Sequence, residues 1–115
     1  MGNKNKILIS DATLRDGNHA ISHQITENQI SSYCKAANFA GVPIVEVGHG
    51  NGLGGSSLQV GEAVLSDKVM LTTARKYLDK SKLGIHAIPG FATIERDLKP
   101  AIDYGVDVFR IAVHC

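Results

Sequence analysis

The feature of this sequence that most constrains its fold is a regular alternation of short apolar runs with longer amphipathic stretches. The apolar runs lie at 7–9, 44–48, 83–88 and 106–113. The first is too brief for a helix and too continuous for a strand with one solvated face, which predicts a parallel strand covered on both sides. Four parallel strands with intervening helices, in units of roughly 30 residues, predict an α/β fold that is the N-terminal half of a (β/α)8 TIM barrel.

The stretches between these runs carry helix signals. Thr26 and Gln29 have the spacing of a capping box, and Gly41 is expected to end the helix that they begin. Asp97 is expected to cap a later helix, because this choice places Pro100 in the first turn, where its missing N–H costs nothing.

A doubly wound sheet is the competing architecture. Residues 50–55 satisfy the pattern G-x-G-x-x-G directly after a strand. However, the next strand ends in Pro89 instead of a ribose-binding acid, and Gly61 weakens any helix that begins at Gly55, so dinucleotide binding is disfavoured. The long glycine-rich segment 49–65 is expected to be a functional loop over the site.

Composition and charge narrow the function classes. The chain has 115 residues, 43% hydrophobic and 20% charged, which predicts a single globular domain over 1–115. A formal net charge of +1 gives no electrostatic footprint for nucleic acid. We expect no membrane segment or signal peptide, hence a cytoplasmic protein, and Cys34 with Cys115 makes no disulfide framework.

Ionisable side chains are concentrated where the first apolar run ends. Asp11, Arg15, Asp16 and His19 fall within nine residues, and Gly17 is expected to let the backbone turn there. An exposed ion pair contributes only about 0–1 kcal/mol, so the adjacent Arg15 and Asp16 favour a functional site. An ordinary strand-to-turn exit with Asp-Gly turn chemistry is the equally weighted alternative.

Histidines are expected at the same edge of the sheet. His49 follows the second strand and His114 the fourth, so in a parallel barrel both should lie at the C-terminal face with Asp16. His86, in the middle of a strand, is expected to be a hydrogen-bonded core histidine. His23 is expected to be solvated or to act as a capping partner.

Segments 41–48 and 105–112 match position by position in character. Glu46 and Arg110 share one register in this match, and alternate strands of a barrel fill the same interior layer, so both should face the same way. An unpaired buried charge costs several kcal/mol, which predicts that an inward Glu46 lies between Arg15 and Arg110. The alternative is that both point outward as peripheral ion-pair partners.

Two stretches together resemble a known enzyme family. Segment 11–19, Asp-Ala-Thr-Leu-Arg-Asp-Gly-Asn-His, and segment 46–57, Glu-Val-Gly-His-Gly-Asn-Gly-Leu-Gly-Gly-Ser-Ser, resemble the 4-hydroxy-2-oxovalerate aldolases, class II pyruvate aldolases of the DRE-TIM metallolyase superfamily. Thr-Leu-Arg-Asp-Gly alone fixes only the superfamily. The histidine that follows it and the glycine-rich loop are the discriminating parts. The resemblance covers nearly the whole chain, as the N-terminal portion of such an enzyme.

The resemblance implies metal-dependent aldol cleavage of a 4-hydroxy-2-oxoacid to pyruvate and an aldehyde. A divalent metal, usually Mn²⁺, would be held by Asp16 and by a His-x-His pair from a later strand, a pair that this sequence lacks. Arg15 and Asp16 would bind the substrate, Arg15 at the developing enolate oxygen, and His19 would remove the 4-hydroxyl proton. Apart from the resemblance, the matching segments predict that Glu46 and Arg110 orient Arg15 without contacting the substrate, and His49 is expected to have a similar supporting role.

The resemblance also implies partners, namely a small 2-oxoacid substrate and an acylating aldehyde dehydrogenase. Unpaired edge strands invite association, which predicts a homo-oligomer. The family's setting is the catabolism of aromatic hydrocarbons. Two other functions stay open. One is a non-catalytic half-barrel whose unpaired edge strands must be covered by a partner. The other is a condensing acyl transferase of the same superfamily, which His19 and the glycine-rich loop disfavour.

Overall fold

The computed structural model describes residues 8–49, 52–55, 66–88 and 92–112. The elements in chain order are β1 (Ser10–Asp11), α1 (Thr13–Ala20), α2 (Glu27–Ala40), β2 (Ile44–Glu46), α3 (Asp67–Tyr77), β3 (Lys82–Ala87), a π-helical turn (Ile94–Leu98), α4 (Lys99–Asp103) and β4 (Val108–Ile111). The four strands form one parallel sheet in the order β1-β2-β3-β4. Strands that are consecutive in the chain are neighbours in this sheet, as in a barrel wall, whereas a doubly wound sheet reverses its strand order. The predicted half-barrel architecture is confirmed.

The sheet has two chemically different faces. Val45, Leu83 and Ile85 are at most 1% exposed and pack in a single core with apolar side chains of α2, α3 and α4. On the opposite face, which we call the inner face, Glu46 lies in register with Gly84 of β3. Gly84 places no side chain between β2 and β4 at this level, so the inner face has room for a long polar side chain.

The predicted caps of α2 are confirmed. The Thr26 hydroxyl accepts a hydrogen bond from Gln29 N at 3.2 Å, and the Gln29 side chain accepts one from Thr26 N at 2.8 Å. Gly41 ends the helix with φ of 79°, a left-handed conformation that glycine adopts without a steric cost. These two local signals fix the length of α2 and deliver the chain into β2.

The prediction of a doubly covered strand at 7–9 is wrong where the structure describes it. Leu8 and Ile9 are 62% and 63% exposed, and the paired residues are Ser10–Asp11. The reason is that β1 is an edge strand of the described sheet, with pairing partners on β2 alone.

The predicted backbone turn at Gly17 is also wrong, because α1 runs straight through it. The Asp11 carboxylate accepts a hydrogen bond from Thr13 N at 2.8 Å and so satisfies a donor at the start of this helix. A glycine inside a helix costs roughly 0.5–1 kcal/mol relative to alanine, which the contacts between α1 and β2 offset.

Thr93, and not Asp97 as predicted, caps the helical segment before β4. The Thr93 hydroxyl accepts from Arg96 N at 3.2 Å, and the Asp97 carboxylate accepts from Thr93 N at 2.9 Å. Pro100 does lie in the first turn of α4, as expected. Within the described parts of the chain, no helix is long and apolar enough to cross a bilayer.

Candidate active site

Glu46 is the centre of a charged cluster on the inner face. It ends β2 and is only 2% exposed. Arg15 Nε donates to its Oε1 at 3.1 Å, while Arg110 donates from Nε to Oε2 at 2.7 Å and from Nη2 to Oε1 at 3.0 Å. The prediction that Glu46 points inward between these two arginines is confirmed.

The two arginines keep the Glu46 carboxylate ionised. Burial by itself would raise the pKa of Glu46, but the hydrogen bonds and charges of Arg110 and then Arg15 outweigh it and leave this pKa below its ordinary value. The hydrogen bond to Glu46 in turn raises the pKa of Arg110. One buried carboxylate is therefore shared by two guanidinium groups.

Arg15 and Asp16 are neighbours in sequence but differ in environment. The Arg15 side chain is 12% exposed and is fixed by Glu46, whereas the Asp16 side chain is 71% exposed. Arg15 Nη1 lies 3.7 Å from Asp16 Oδ1. The first turns of α1 therefore present a held guanidinium beside an open carboxylate at the carboxyl end of β1.

The described residues supply only part of a binding site for the divalent metal that the resemblance implies. Among the described residues, no group of three or more His, Cys, Asp or Glu side chains is placed to hold an ion. The exposed Asp16 carboxylate is the type of oxygen donor that Mn²⁺ and Mg²⁺ prefer. Asp16 could therefore be one ligand, and a complete set needs residues from outside the described ranges.

His49 is buried at the carboxyl end of β2, and His23 lies directly against it. The exposed fractions are 0% for His49 and 4% for His23, and the two rings stack with centroids 3.6 Å apart and planes 4° apart. Of the two expectations for His23, a solvated side chain is wrong, whereas a capping role holds for its backbone, since His23 N donates to the Asn18 carbonyl at 2.7 Å. Its placement depends on two successive left-handed residues, Ser22 and His23, and the sequence pattern around them gave no sign of this conformation.

His86 is buried as expected, but in the described part of the chain one of its ring nitrogens lacks the expected hydrogen bond. His86 is 7% exposed on the inner face in register with Arg110, but its Nδ1 has no hydrogen-bond partner among the described residues. Burial, followed by the charges of Arg110 and Arg15, lowers the pKa of His86, which favours the neutral imidazole. His19 lies in α1, and its side chain is outside what the structure describes, as is all of His114.

Part of the glycine-rich segment forms a turn over the carboxyl end of β3. Leu53 N donates to the His86 carbonyl at 2.9 Å, and Gly54 N donates to the Asp67 carboxylate at 2.9 Å. Gly52 has φ of 84°, and a Cβ there would lie 2.2 Å from the His86 carbonyl oxygen, so the close approach requires glycine. Sequence reasoning missed the role of Asp67, because its position also suits a helix cap. Residues 50–51 and 56–65 of the predicted loop lie outside the described ranges.

Fold and site together define an α/β half-barrel protein whose charged side chains gather at the carboxyl ends of parallel strands. This is the edge at which (β/α)8 enzymes place their active sites.

Comparison with known proteins gives the family. No family model matches the chain. It is 63% identical over 117 residues to a 4-hydroxy-2-oxovalerate aldolase of Spirochaeta aurantia. The matched region is 100% of the chain and 34% of that protein. Aldolases of the same name from Serratia proteamaculans and Pectobacterium atrosepticum are 60% and 58% identical over 95% and 96% of the chain, and 32% of each is covered. The chain thus belongs to the 4-hydroxy-2-oxovalerate aldolase family, a family of lyases, and spans about a third of the length of these relatives, at their N-terminal end.

Proposed function

We propose that this chain supplies the N-terminal part of a metal-dependent aldolase that cleaves a 4-hydroxy-2-oxoacid into pyruvate and an aldehyde. The observation that carries the proposal is the Arg15 guanidinium, held by a buried Glu46 and lying beside an exposed Asp16. The same residues lie in a chain 63% identical to an aldolase named for such a substrate.

Arg15 would act on the charge that develops during cleavage. Breaking the bond between C3 and C4 sends its electron pair towards the 2-oxo oxygen, which becomes the enolate oxygen of pyruvate. A cation that is fixed beforehand stabilises this charge without reorganisation at the moment of reaction. The ion pair with Glu46 restrains the plane of the guanidinium, and the contact of Arg110 with Glu46 restrains the carboxylate in turn.

Asp16 and His19 would have different roles. Asp16 would be one ligand of a divalent metal, proposed to be Mn²⁺, which when bound would act as a Lewis acid towards the 2-oxo group. His19 would accept the 4-hydroxyl proton, a task suited to an imidazole because its ordinary pKa lies near neutral pH. By resemblance, the proposal also includes association with an acylating aldehyde dehydrogenase, and the unpaired strand edges favour a homo-oligomer.

A chimera tests this proposal. Residues 1–115 would replace the matching stretch of the Spirochaeta aurantia aldolase, which supplies the remaining two thirds of the protein. We expect the chimera to cleave 4-hydroxy-2-oxovalerate and to lose cleavage when its metal is removed by a chelator. A folded chimera without cleavage, or with cleavage that is indifferent to chelation, would contradict the proposal.

The role of His19 has its own measurement in the chimera. His19→Ala should abolish cleavage yet leave deuterium exchange at the pyruvate methyl group measurable, because enolisation of pyruvate does not involve the 4-hydroxyl group. If exchange falls as far as cleavage does, His19 is not the base for that hydroxyl.

A further inference from the structure

α1 lies along the carboxyl end of β2 and the residues that follow it, through contacts that occur in the same order in both segments. The pairs are Arg15 with Glu46, Asn18 with Gly48, and His23 with His49. The first of these is the ion pair of the charged cluster. The other two hold the C-terminal half of α1 and the turn after it, and no role in the proposed chemistry explains them.

The middle contact is a buried hydrogen bond. Asn18 is 1% exposed, and its Nδ2 donates to the Gly48 carbonyl at 2.9 Å. A buried carbonyl without a hydrogen-bond partner is destabilising, so this amide is well placed to hold α1 against the end of β2. Asn18 immediately precedes His19 in the chain.

The last contact requires an unusual backbone. His23 N donates to the Asn18 carbonyl at 2.7 Å, as in a Schellman helix end, where glycine is the usual residue in the left-handed position. Here Ser22 and His23 have φ of 52° and 60°, although neither is glycine. Conformations of this kind persist where the surroundings over-determine them and are concentrated at functional sites. The result is that the His23 ring is directed onto the ring of His49.

We propose that His23 is a positioning residue for the aldol-cleavage step. By stacking on His49, it fixes the C-terminal half of α1, and with it His19, at the carboxyl end of β2. The N-terminal half of α1, with Arg15, is held separately by Glu46. This inference rests on the proposed function, because it concerns the step assigned to His19.

Because the two halves of α1 are held separately, loss of the His23 contact should affect two activities of the chimera differently, namely aldol cleavage and deuterium exchange at the pyruvate methyl group. In His23→Ala, cleavage should fall by up to roughly 10²-fold, the effect that a displacement of about 1 Å can have on a reacting group. Deuterium exchange at the pyruvate methyl group should change much less, since Arg15 and Asp16 keep their contacts. In the matched variant His23→Phe, a planar ring can still stack, and cleavage should be largely restored.

Hydrogen exchange of the backbone amides at 13–20 gives a readout that does not depend on activity. His23→Ala should speed this exchange in the C-terminal half of α1, and His23→Phe should not. Unchanged protection in His23→Ala would overturn the proposal even if the chimera were inactive, which separates its failure from that of the proposed function. Equal losses of cleavage and methyl exchange, or no rescue by phenylalanine despite normal protection, would also overturn it.

Discussion

Two arginine clusters lie at opposite edges of the same sheet, and they differ in how charge is balanced. At the carboxyl edge, the buried Glu46 is shared by Arg15 and Arg110. At the amino edge, Arg75 Nη1 contacts Asp107 Oδ2 at 2.6 Å, and their side chains are 30% and 39% exposed. One edge thus has two cations for one buried anion, whereas the other has a one-to-one pair that is open to solvent.

The amino-edge cluster also uses the backbone. Arg75 donates to the carbonyls of Gly105, Leu78 and Ser81, which lie in the segments leading into β3 and β4. A Cβ on Gly105 would lie 2.4 Å from Arg75 Cδ, so the arginine packs directly against that turn. The charge and the hydrogen bonds of Arg75 therefore both hold the segments before β3 and β4 against α3.

The difference separates stability from function within a single sheet. The amino-edge arginine is satisfied by groups that are part of the fold, so it offers little to a ligand. At the carboxyl edge, Arg15 instead lies between the buried Glu46 and the exposed Asp16, on the side of the sheet where the proposed reaction would take place. Barrel enzymes divide their two edges in the same way.

The largest effect should follow removal of the shared carboxylate. Glu46→Ala leaves two guanidinium groups without their common anion, and we expect the free energy of unfolding at neutral pH to fall by about 3–5 kcal/mol. Urea denaturation of the wild type and the variant measures this. A loss no larger than that of an exposed ion pair would remove the contrast between the two edges.

The contribution of Glu46 should also depend on pH in a defined direction. Because the arginines hold the pKa of Glu46 below the ordinary value for a glutamate, its stabilisation is fully present above that ordinary value and is lost as the pH falls through the pKa of the folded state. The stability difference between wild type and Glu46→Ala should therefore narrow in acid. A difference that widens as the pH falls would show that the pKa of Glu46 is raised instead.

The next largest effect should come from variants of the chimera that distinguish the role of Arg15 from that of Asp16. Arg15→Lys should keep metal affinity but lose turnover by roughly 2.7–4 kcal/mol of transition-state stabilisation, since an ammonium cannot reproduce the planar guanidinium. Asp16→Asn should weaken Mn²⁺ binding. Titration calorimetry with Mn²⁺ and steady-state kinetics distinguish the two, and equal metal loss in both variants would contradict the assignment.

At the amino edge, Asp107→Ala should cost stability without affecting chemistry. Asp107 accepts hydrogen bonds from Arg75 and from Leu83 N at 2.9 Å, and it is partly exposed. We expect a loss of about 1–1.5 kcal/mol in urea denaturation. Cleavage by the chimera, assayed below the unfolding transition, should be unchanged, and a specific loss of turnover would break the division between the edges.

The smallest effect is a gain. Ser22→Gly relieves one left-handed position after α1 and should raise the free energy of unfolding by up to about 1 kcal/mol. Thermal denaturation against the control Ser32→Gly, at an exposed position inside α2 where glycine should destabilise, checks the direction. Destabilisation by Ser22→Gly would mean that the serine makes a contact that outweighs its backbone cost.

The sequence predicted correctly those features that depend on a physical rule involving only a few residues. The capping box at Thr26 and Gln29 is local, and the burial cost of a lone charge was enough to place Glu46 between Arg15 and Arg110. The matching segments around β2 and β4 predicted that Glu46 and Arg110 share a face, although in the sheet Glu46 aligns with Val108 through Gly84 and Arg110 lies two residues further along.

It failed where tertiary contacts override a local preference. Asp16 and Gly17 form a dipeptide typical of turns, yet they lie in a helix that is held on β2. Asp97 was expected to cap the helix that contains Pro100, but a π-helical turn precedes that helix, and the N-cap of this turn is Thr93. The left-handed backbone of His23 has no signature in the sequence, because glycine is the residue that normally marks it.

Gly84 has a consequence for the curvature of the sheet. Neighbouring strands lie about 4.8 Å apart, so the side chains of Glu46 and Arg110 meet only by extending over the strand β3 that lies between them. A Cβ on Gly84 would lie in ordinary contact with Glu46 Cγ at 3.5 Å but only 3.0 Å from Ile44 Cγ2, so glycine leaves the space over β3 open to the two side chains. An attraction that skips a strand draws β2 and β4 together on one side only, and it therefore favours the concave bend that a sheet needs if it is to close into a cylinder.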